Sequence, residues 1–519
     1  MPTLSRSVRA HVRSAVLPAA ILAVAGSVVS AQGFVNWESP HVSPLALTPD
    51  GARLLAVNTA DNRLEVFSLS GGTPVSVGSV PVGLDPVSVR AVSATEAWVV
   101  NRISDTVSVV DLASMNVKRT LPVGNQPSDV AFAAGKAFVT CSGTEDVRVF
   151  SLSNLAAPAS VVAIQGEMPR AMAVSPDGTK VYAAIFASGN KTTILNAGQV
   201  SSPSGPYGGL NPPPNAGNLF SPPLNPANPL PPRVGLIVQK NGAGQWEDDN
   251  GRVWSGPNFV TWDMHDQDVA VIDPSSLGVS YVTGLMNMNM AMTVRPDGAL
   301  VVIGTEASNR TRFEPNLTGR FVRSVIATVA PGSSPAIVDL NPHLAGAYAA
   351  GQGNVAASLR NQSIADPRAV AWRSDNSQGF VAGLGSNNIA VVSPAGARLG
   401  QFDVGQGPTG LALDEARASL YVLNRFDATI SIVSLSTLTP TATVAFSFDP
   451  TPTAIKSGRP FLYNARLTSG LGVTACGACH VDGRQDGLAW DLGDPSGSVR
   501  PSTRCASPCP APTASPGTP

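Results

Sequence analysis

From Pro44 onward the chain repeats one motif: a short apolar strand, a tight turn, a second strand, another turn and a third strand. The first copy runs Leu45-Ala-Leu47, Pro49-Asp50-Gly51, Leu54-Leu-Ala-Val57 and Arg63-Leu-Glu-Val-Phe67. Apolar and polar positions alternate with period two, and the turns carry Pro, Asp, Gly and Asn, which predicts β-hairpins. Later copies begin at Pro86, Pro127 and Pro169, so the period is 41 or 42 residues. A repeat of that length built of period-two strands is the signature of a β-propeller blade. A helical solenoid of similar repeat length would need apolar spacing near 3.6, which is absent.

The rhythm is interrupted twice. The last strand of the fourth copy is expected only at Asp268-Val-Ala-Val-Ile-Asp273, after an insertion of about residues 196–264. Eleven prolines between Pro203 and Pro232 predict loop or polyproline-like chain there. A fifth copy follows at Ala291, then a second insertion of about 309–365. The sixth and seventh copies start at Pro367 and Pro408, again 41 apart. Seven copies predict an all-β, seven-bladed propeller over residues 32–456, a ring that leaves no open sheet edges. Its closure is expected either from a strand near Ala442–Phe446 pairing with the first blade or from residues before Pro44.

Composition agrees with short strands and tight turns. Charged residues make up 13% of the 519, about half the usual share, beside 49 Gly and 45 Pro. A net charge of −1 gives no electrostatic case for nucleic acid. At the N-terminus, Arg6, Arg9 and Arg13 precede an apolar run from Ala15 to Ala25 and a small-x-small site at Val29-Ser30-Ala31. Residues 1–31 therefore read as a cleaved signal peptide, since the run is shorter than the ~20 residues a bilayer span needs. The expected location is periplasmic, extracellular or at the cell surface, with no membrane span after cleavage.

One pentapeptide carries the most specific chemistry. Cys476-Gly-Ala-Cys479-His480 has two thiols at the spacing of the porphyrin vinyl groups and an imidazole placed to ligate the iron, the attachment pattern of c-type haem. A zinc site would need about four ligands, and no second Cys-x-x-Cys lies nearby. Cys505 and Cys509 are four apart in a Pro-rich tail. Leu471, Leu488 and Trp490 are expected as an apolar haem wall. Arg484 is either a propionate partner, through a charge-assisted pair, or an exposed turn residue.

Other candidates have plainer readings. Met286, Met288, Met290 and Met292 are expected on one side of a strand as core packing. The Trp262-Asp263-Met264-His265-Asp266-Gln267-Asp268 stretch reads as a polar turn rather than a metal site. Glu247-Asp248-Asp249-Asn250-Gly251 lacks the spaced ligands of a calcium loop and reads as a turn. His41 and His343 are expected to be isolated, and Cys141 to be a buried apolar side chain.

Two resemblances follow from these residues. Leu420-Tyr-Val-Leu-Asn424 and Ser175-Pro-Asp-Gly178 resemble the YVTN-type β-propeller repeat over most of residues 40–450. That resemblance implies an exported propeller of the kind found in surface-layer and redox proteins. The block of about residues 457–498, centred on the haem motif, resembles the first haem segment of di-haem cytochrome c peroxidases and MauG. It implies thioether bonds at Cys476 and Cys479, His480 as axial ligand, and one haem c. The second haem motif of that family is missing, no Met or His follows His480, and residues 499–519 read as a disordered tail. The switch in composition after about Val499 is open to two readings, a genuine end or a truncated or frame-shifted one. The leading expectation is an exported haem protein for electron transfer or peroxidase-like oxidation, with an unidentified redox partner protein. The alternative is a non-enzymatic binding or surface-layer propeller whose haem segment is vestigial.

Overall fold

The computed structural model describes residues 38–189, 191–214, 233–310 and 320–484. The expected signal peptide, Leu488, Trp490, Cys505, Cys509 and the tail lie outside the described residues. The rest is mostly β and propeller-like. Five four-stranded antiparallel sheets and one eight-stranded sheet follow in chain order. The eight-stranded sheet is two four-stranded runs, joined only where Ala187 pairs with Met288.

Each repeat of the sequence becomes one four-stranded meander. The first uses Leu45–Leu47, Arg53–Asn58, Arg63–Ser68 and Val75–Pro81. In the second, sixth and seventh the innermost strand begins at the repeat proline, as in Pro86–Ala91, Pro367–Trp372 and Pro408–Asp414. The residue before each of these prolines has positive φ: Asp85 at 64°, Asp366 at 48° and Gly407 at 65°. A fixed proline φ after a left-handed residue turns the chain sharply into the innermost strand. The Asn that ends the second strand then ties it to the third. Asn101 Nδ2 donates to Thr106 Oγ1 at 3.2 Å and Ser108 Oγ at 2.9 Å, and Asn424 Nδ2 donates to Thr429 Oγ1 at 3.0 Å and Ser431 Oγ at 2.8 Å.

Between successive sheets lies an apolar layer. Leu55 and Val57 of the first meet Val89 and Val99 of the second, and Phe380 and Ile389 of the sixth meet Leu420 and Val422 of the seventh. Leu54 and Phe67 of the first sheet also pack with Tyr421 and Leu423 of the seventh, so the core closes on itself. Basic side chains staple several of these joints by hooking the carbonyl that follows the next sheet's third strand. Arg53 Nη1 donates to the Leu112 carbonyl at 2.7 Å, Arg295 Nη1 to Pro394 at 2.7 Å and Arg373 Nη2 to Leu435 at 3.0 Å. Arg417 Nε donates to the Leu69 carbonyl at 3.2 Å, carrying the same device across from the seventh sheet to the first.

The strand near Ala442–Phe446 does not pair with the first sheet, whereas His41, before Pro44, bridges the joint by bonding Thr59 and Thr409. Thr439–Ala445 pairs with Thr429–Ser434 as the outer strand of its own sheet, and the first sheet is complete from residues 45–81. No strand is shared between them; side chains alone bridge the joint. The interruptions also hold more regular structure than their composition predicts. Thr192–Leu195, Leu236–Lys240 and Trp246–Glu247 form a small sheet with its own core of Leu195, Leu236, Val238, Trp254 and Phe259. Those few apolar side chains suffice because Trp254 and Phe259 stack edge-on at 5.3 Å. Residues 215–232, with six of that stretch's eleven prolines, lie outside the described residues. Inside the second interruption, Val322–Val329 and Ala336–Asp339 complete the fifth sheet, so the true insertion there is shorter. That sheet starts at Met288 rather than Ala291.

Among the described residues no helix is long and apolar enough to cross a membrane.

Candidate cofactor site in the C-terminal segment

After the last sheet the chain turns helical. The helix Thr453–Tyr463 buries Tyr463, whose hydroxyl donates to Glu38 Oε2 at 2.5 Å. Asn464 both ends that helix and caps the next, Ala465–Thr468, accepting from the Leu467 N–H at 3.2 Å. Arg466 pairs with Asp403 of the sixth sheet at 2.8 Å, and the Ala465 N–H donates to the Gly385 carbonyl at 2.8 Å. The segment is therefore fastened to the sheets before the cysteines are reached.

Cys476–Cys479 forms a single helical turn with two unlike faces. Gly477 and Ala478 are buried, whereas Cys476 and His480 are exposed and Cys479 is half-buried. The inward face is tight: a Cβ on Gly477 would lie 2.5 Å from Cδ1 of Tyr463. Cys476 and Cys479 are not joined in a disulfide. Phe461 and Leu467, on the two preceding helices, stay 70% and 58% exposed. An exposed thiol, a half-buried thiol and an exposed imidazole on one turn fit a porphyrin held by thioether bonds. No group of three His, Cys, Asp or Glu that could hold a bare metal ion occurs among the described residues.

The two residues after His480 run inward. Val481 is buried against Phe186, Ala187, Met288 and Met290 at the junction of the fourth and fifth sheets. Asp482 has left-handed backbone angles (φ 52°, ψ 39°) and a side chain only 2% exposed. Arg170 Nη1, on the fourth sheet's innermost strand, donates to its Oδ2 at 3.3 Å. Arg368 Nη1, on the sixth sheet's innermost strand, donates to its Oδ1 at 3.1 Å and Oδ2 at 3.2 Å. The other edge of Arg368 grips Asp366 through Nε at 2.6 Å and Nη2 at 3.0 Å. Burial alone would raise the Asp482 pKa, but the Arg368 and Arg170 guanidiniums hold it below the usual carboxylate range. Burial pushes Arg170 down to about 9, and its guanidinium lies 3.5 Å over the Phe186 ring.

Sequence reasoning passed over Asp482, Arg170, Arg368 and Tyr463. A signal existed for the arginines: Pro169-Arg170 and Pro367-Arg368 place a charge one residue after the repeat proline, where Val87 and Thr409 stand in other copies.

Several expectations need correction. Leu471 is no open haem wall; it packs with Leu344, Ala347, Tyr348 and Val473. The four methionines are all buried, but they do not share one side. Met286 lies before the strand, which starts at Met288, and a bulge between Asn289 and Ala291 breaks the alternation within it; Met286 and Met292 join one cluster and Met288 and Met290 another. His41 is not isolated. It is buried, with Nδ1 2.9 Å from Thr409 Oγ1 and Nε2 2.6 Å from Thr59 Oγ1, and burial and Arg425 hold its pKa well below the usual value. His343 Nε2 lies 3.3 Å from Ser363 Oγ.

Arg484 is exposed, a position open to either of its two readings. Cys141 is buried in the apolar layer between the second and third sheets, and burial pushes its thiol up to about 12. Asp263 and Asp266 reach Lys240 at 2.6 and 3.6 Å, while Asp268 turns inward to accept the Leu285 N–H at 3.0 Å. At Glu247–Gly251 the chain makes a turn, the Gly251 N–H donating to the Asp248 carbonyl at 3.0 Å.

No family model matches the chain, and no curated protein does. Solved structures do. Hydrazine synthase from Kuenenia stuttgartiensis superposes with a TM-score of 0.50 at 14% identity, covering 79% of this chain and 99% of that one. The fold is propeller-like. Dihydro-heme d1 dehydrogenase NirN in complex with DHE gives a TM-score of 0.43 at 10% identity, over 78% of this chain and 66% of that one. At these identities the likeness concerns the fold, and the resemblances to YVTN-type repeats and di-haem peroxidases rest on the residues quoted for them.

Proposed function

We propose that this is an exported c-type haem protein for electron transfer, a seven-bladed propeller carrying one haem c on its C-terminal segment. Cys476 and Cys479 hold the haem by thioether bonds and His480 ligates its iron through the imidazole. When bound, haem supplies an iron centre that cycles between ferrous and ferric states. The chain's own task is to present and orient that group. Gly477 lets the motif turn sit against Tyr463, which turns Cys476 and His480 outward and leaves Cys479 half-buried beside them.

The observation that carries this reading is the division of the pentapeptide into a buried Gly477-Ala478 face and an accessible Cys476-His480 face. A Cys-x-x-Cys kept for packing would bury its sulfurs, as Cys141 is buried. Accessibility also favours electron transfer to a docking redox protein over oxidation of a sequestered substrate. Export is supported by the Arg6, Arg9, Arg13 and Val29-Ser30-Ala31 pattern, which lies outside the described residues.

The test is a reduced pyridine haemochrome spectrum of full-length protein made beside a cytochrome c maturation system. A thioether-type α-band at one haem per chain, lost in the Cys476→Ser, Cys479→Ser variant, is expected. A colourless, iron-free protein overturns the proposal and leaves a propeller that binds or scaffolds.

A further inference from the structure

Asp482 stands two residues past the axial histidine and is the only acid that the C-terminal segment sends between Arg170 and Arg368 among the described residues. Its two partners are 312 and 114 residues away in sequence, on the innermost strands of different sheets. All three side chains are at most 4% exposed. Val481 fills an apolar socket immediately beside them. His480 is thus the last exposed residue before a stretch whose direction is fixed by the sheets.

We propose that Asp482 is a positioning residue for haem: clamped by Arg170 and Arg368, it sets the direction of His480, so that the sheets orient the iron ligand. The inference rests on the haem reading above and deepens it. Three features of the site support it. The clamp has defined direction, because Arg368 grips Asp366 with its Nε–Nη2 edge and reaches Asp482 through Nη1. The left-handed backbone at Asp482 reverses the chain, so the carboxylate points inward while His480 stays outside. The described segment itself is small, four short helices whose polar fastenings run to the sheets, to Glu38 and to the chain before the sixth sheet, where the Val355 N–H donates to the Gly470 carbonyl at 3.1 Å and Ser363 Oγ to the Leu471 carbonyl at 2.7 Å. A haem domain that folds alone would orient its ligand from its own core; here the sheets take that part.

The experiment compares full-length holoprotein with the Asp482→Asn variant and with the double variant Asp482→Asn, Arg170→Met. Asn tolerates the left-handed backbone, and the double variant removes an arginine that would otherwise be left buried without its carboxylate, so folding is preserved. Readouts are haem per chain, the ferric EPR spectrum and the rate of tryptic cleavage between residues 453 and 484. Support requires covalent haem retained, an EPR signal broadened or split relative to wild type, and cleavage about tenfold faster. Restoring Asp at 482 in the Arg170→Met background should return the wild-type EPR signal through Arg368 alone. Unchanged EPR overturns the proposal, even with faster cleavage, because the clamp would then merely fasten the segment. A wild-type protein without haem overturns the reading beneath it instead. In that case cleavage of the colourless protein still reports whether Asp482 docks the segment.

Discussion

The sheets and the C-terminal segment hold together by opposite means. The sheets meet through layers in which side chains such as Leu55, Val99, Phe380 and Val422 are fully buried, and any one polar contact is secondary. The segment has only small apolar seats, such as Val481 against Met288 and Leu471 against Leu344, and adds a handful of directed contacts: Tyr463 to Glu38, Arg466 to Asp403, and Asp482 to Arg170 and Arg368. Apolar layers tolerate sequence drift, whereas a buried ion pair that loses one partner leaves an uncompensated charge at a cost of roughly 3–5 kcal/mol. The sheets therefore set whether the molecule folds, and the polar contacts set where the cysteine turn sits.

That contrast breaks most visibly at Trp98. It is fully buried and meets Phe132 edge-on at 5.5 Å, so Trp98→Ala should cost about 3–5 kcal/mol and lower the global urea midpoint. The segment's protease resistance should fall only when the whole molecule unfolds. Gly477→Ala should do the reverse. Its Cβ meets the Tyr463 ring at 2.5 Å, so the turn must lift by about 1–3 kcal/mol of overpacking, raising local cleavage while the global midpoint stays put. Asn424→Ala sharpens the comparison within the sheets. Losing the bonds to Thr429 and Ser431 should cost about 1 kcal/mol, read as a small midpoint shift with the segment untouched.

The smallest effect is a pH dependence confined to the sheets and their insertions. Burial raises Glu306 from 4.5 to about 7, so its contribution is present at low pH and lost as pH rises through about 7. Burial lowers His343 from 6.5 to about 4, so its contribution is present above 6.5 and lost as pH falls toward 4. Urea midpoints across that range should peak between the two arms. Glu306→Gln should flatten the alkaline arm and leave the acid arm, since the amide can still accept from the Asn287 N–H at 3.0 Å.

The regular repeats were legible because each reuses the same local devices: proline at the start of the innermost strand, Asp-Gly turns, and Asn at the end of the second strand. Pro86, Pro127, Pro367 and Pro408 each open a strand in the structure. The fifth repeat was legible only in part, because the chain between Ala307 and Val322 displaces its last two strands from the expected spacing. The small sheet around Trp254 was hidden by the prolines beside it. At the candidate site, spacing alone singled out Cys476, Cys479 and His480. The Asp482 clamp could not be seen in that way, since its meaning depends on arginines brought in from two distant repeats. Leu471 misled for the same reason: an apolar residue near the motif had a nearer partner in Leu344.

One consequence of the joint between first and seventh sheets concerns connectivity. Because each of these sheets is built from consecutive residues and only side chains such as Arg417 bridge them, the order in which the chain visits the circle is arbitrary. Glu38 Cβ lies 3.3 Å from where a Gly483 side chain would begin, so the described ends already touch. A few linking residues there, with a new opening at the exposed Leu84 between the first and second sheets, would give a circular permutant in which both of those sheets are still built from consecutive residues.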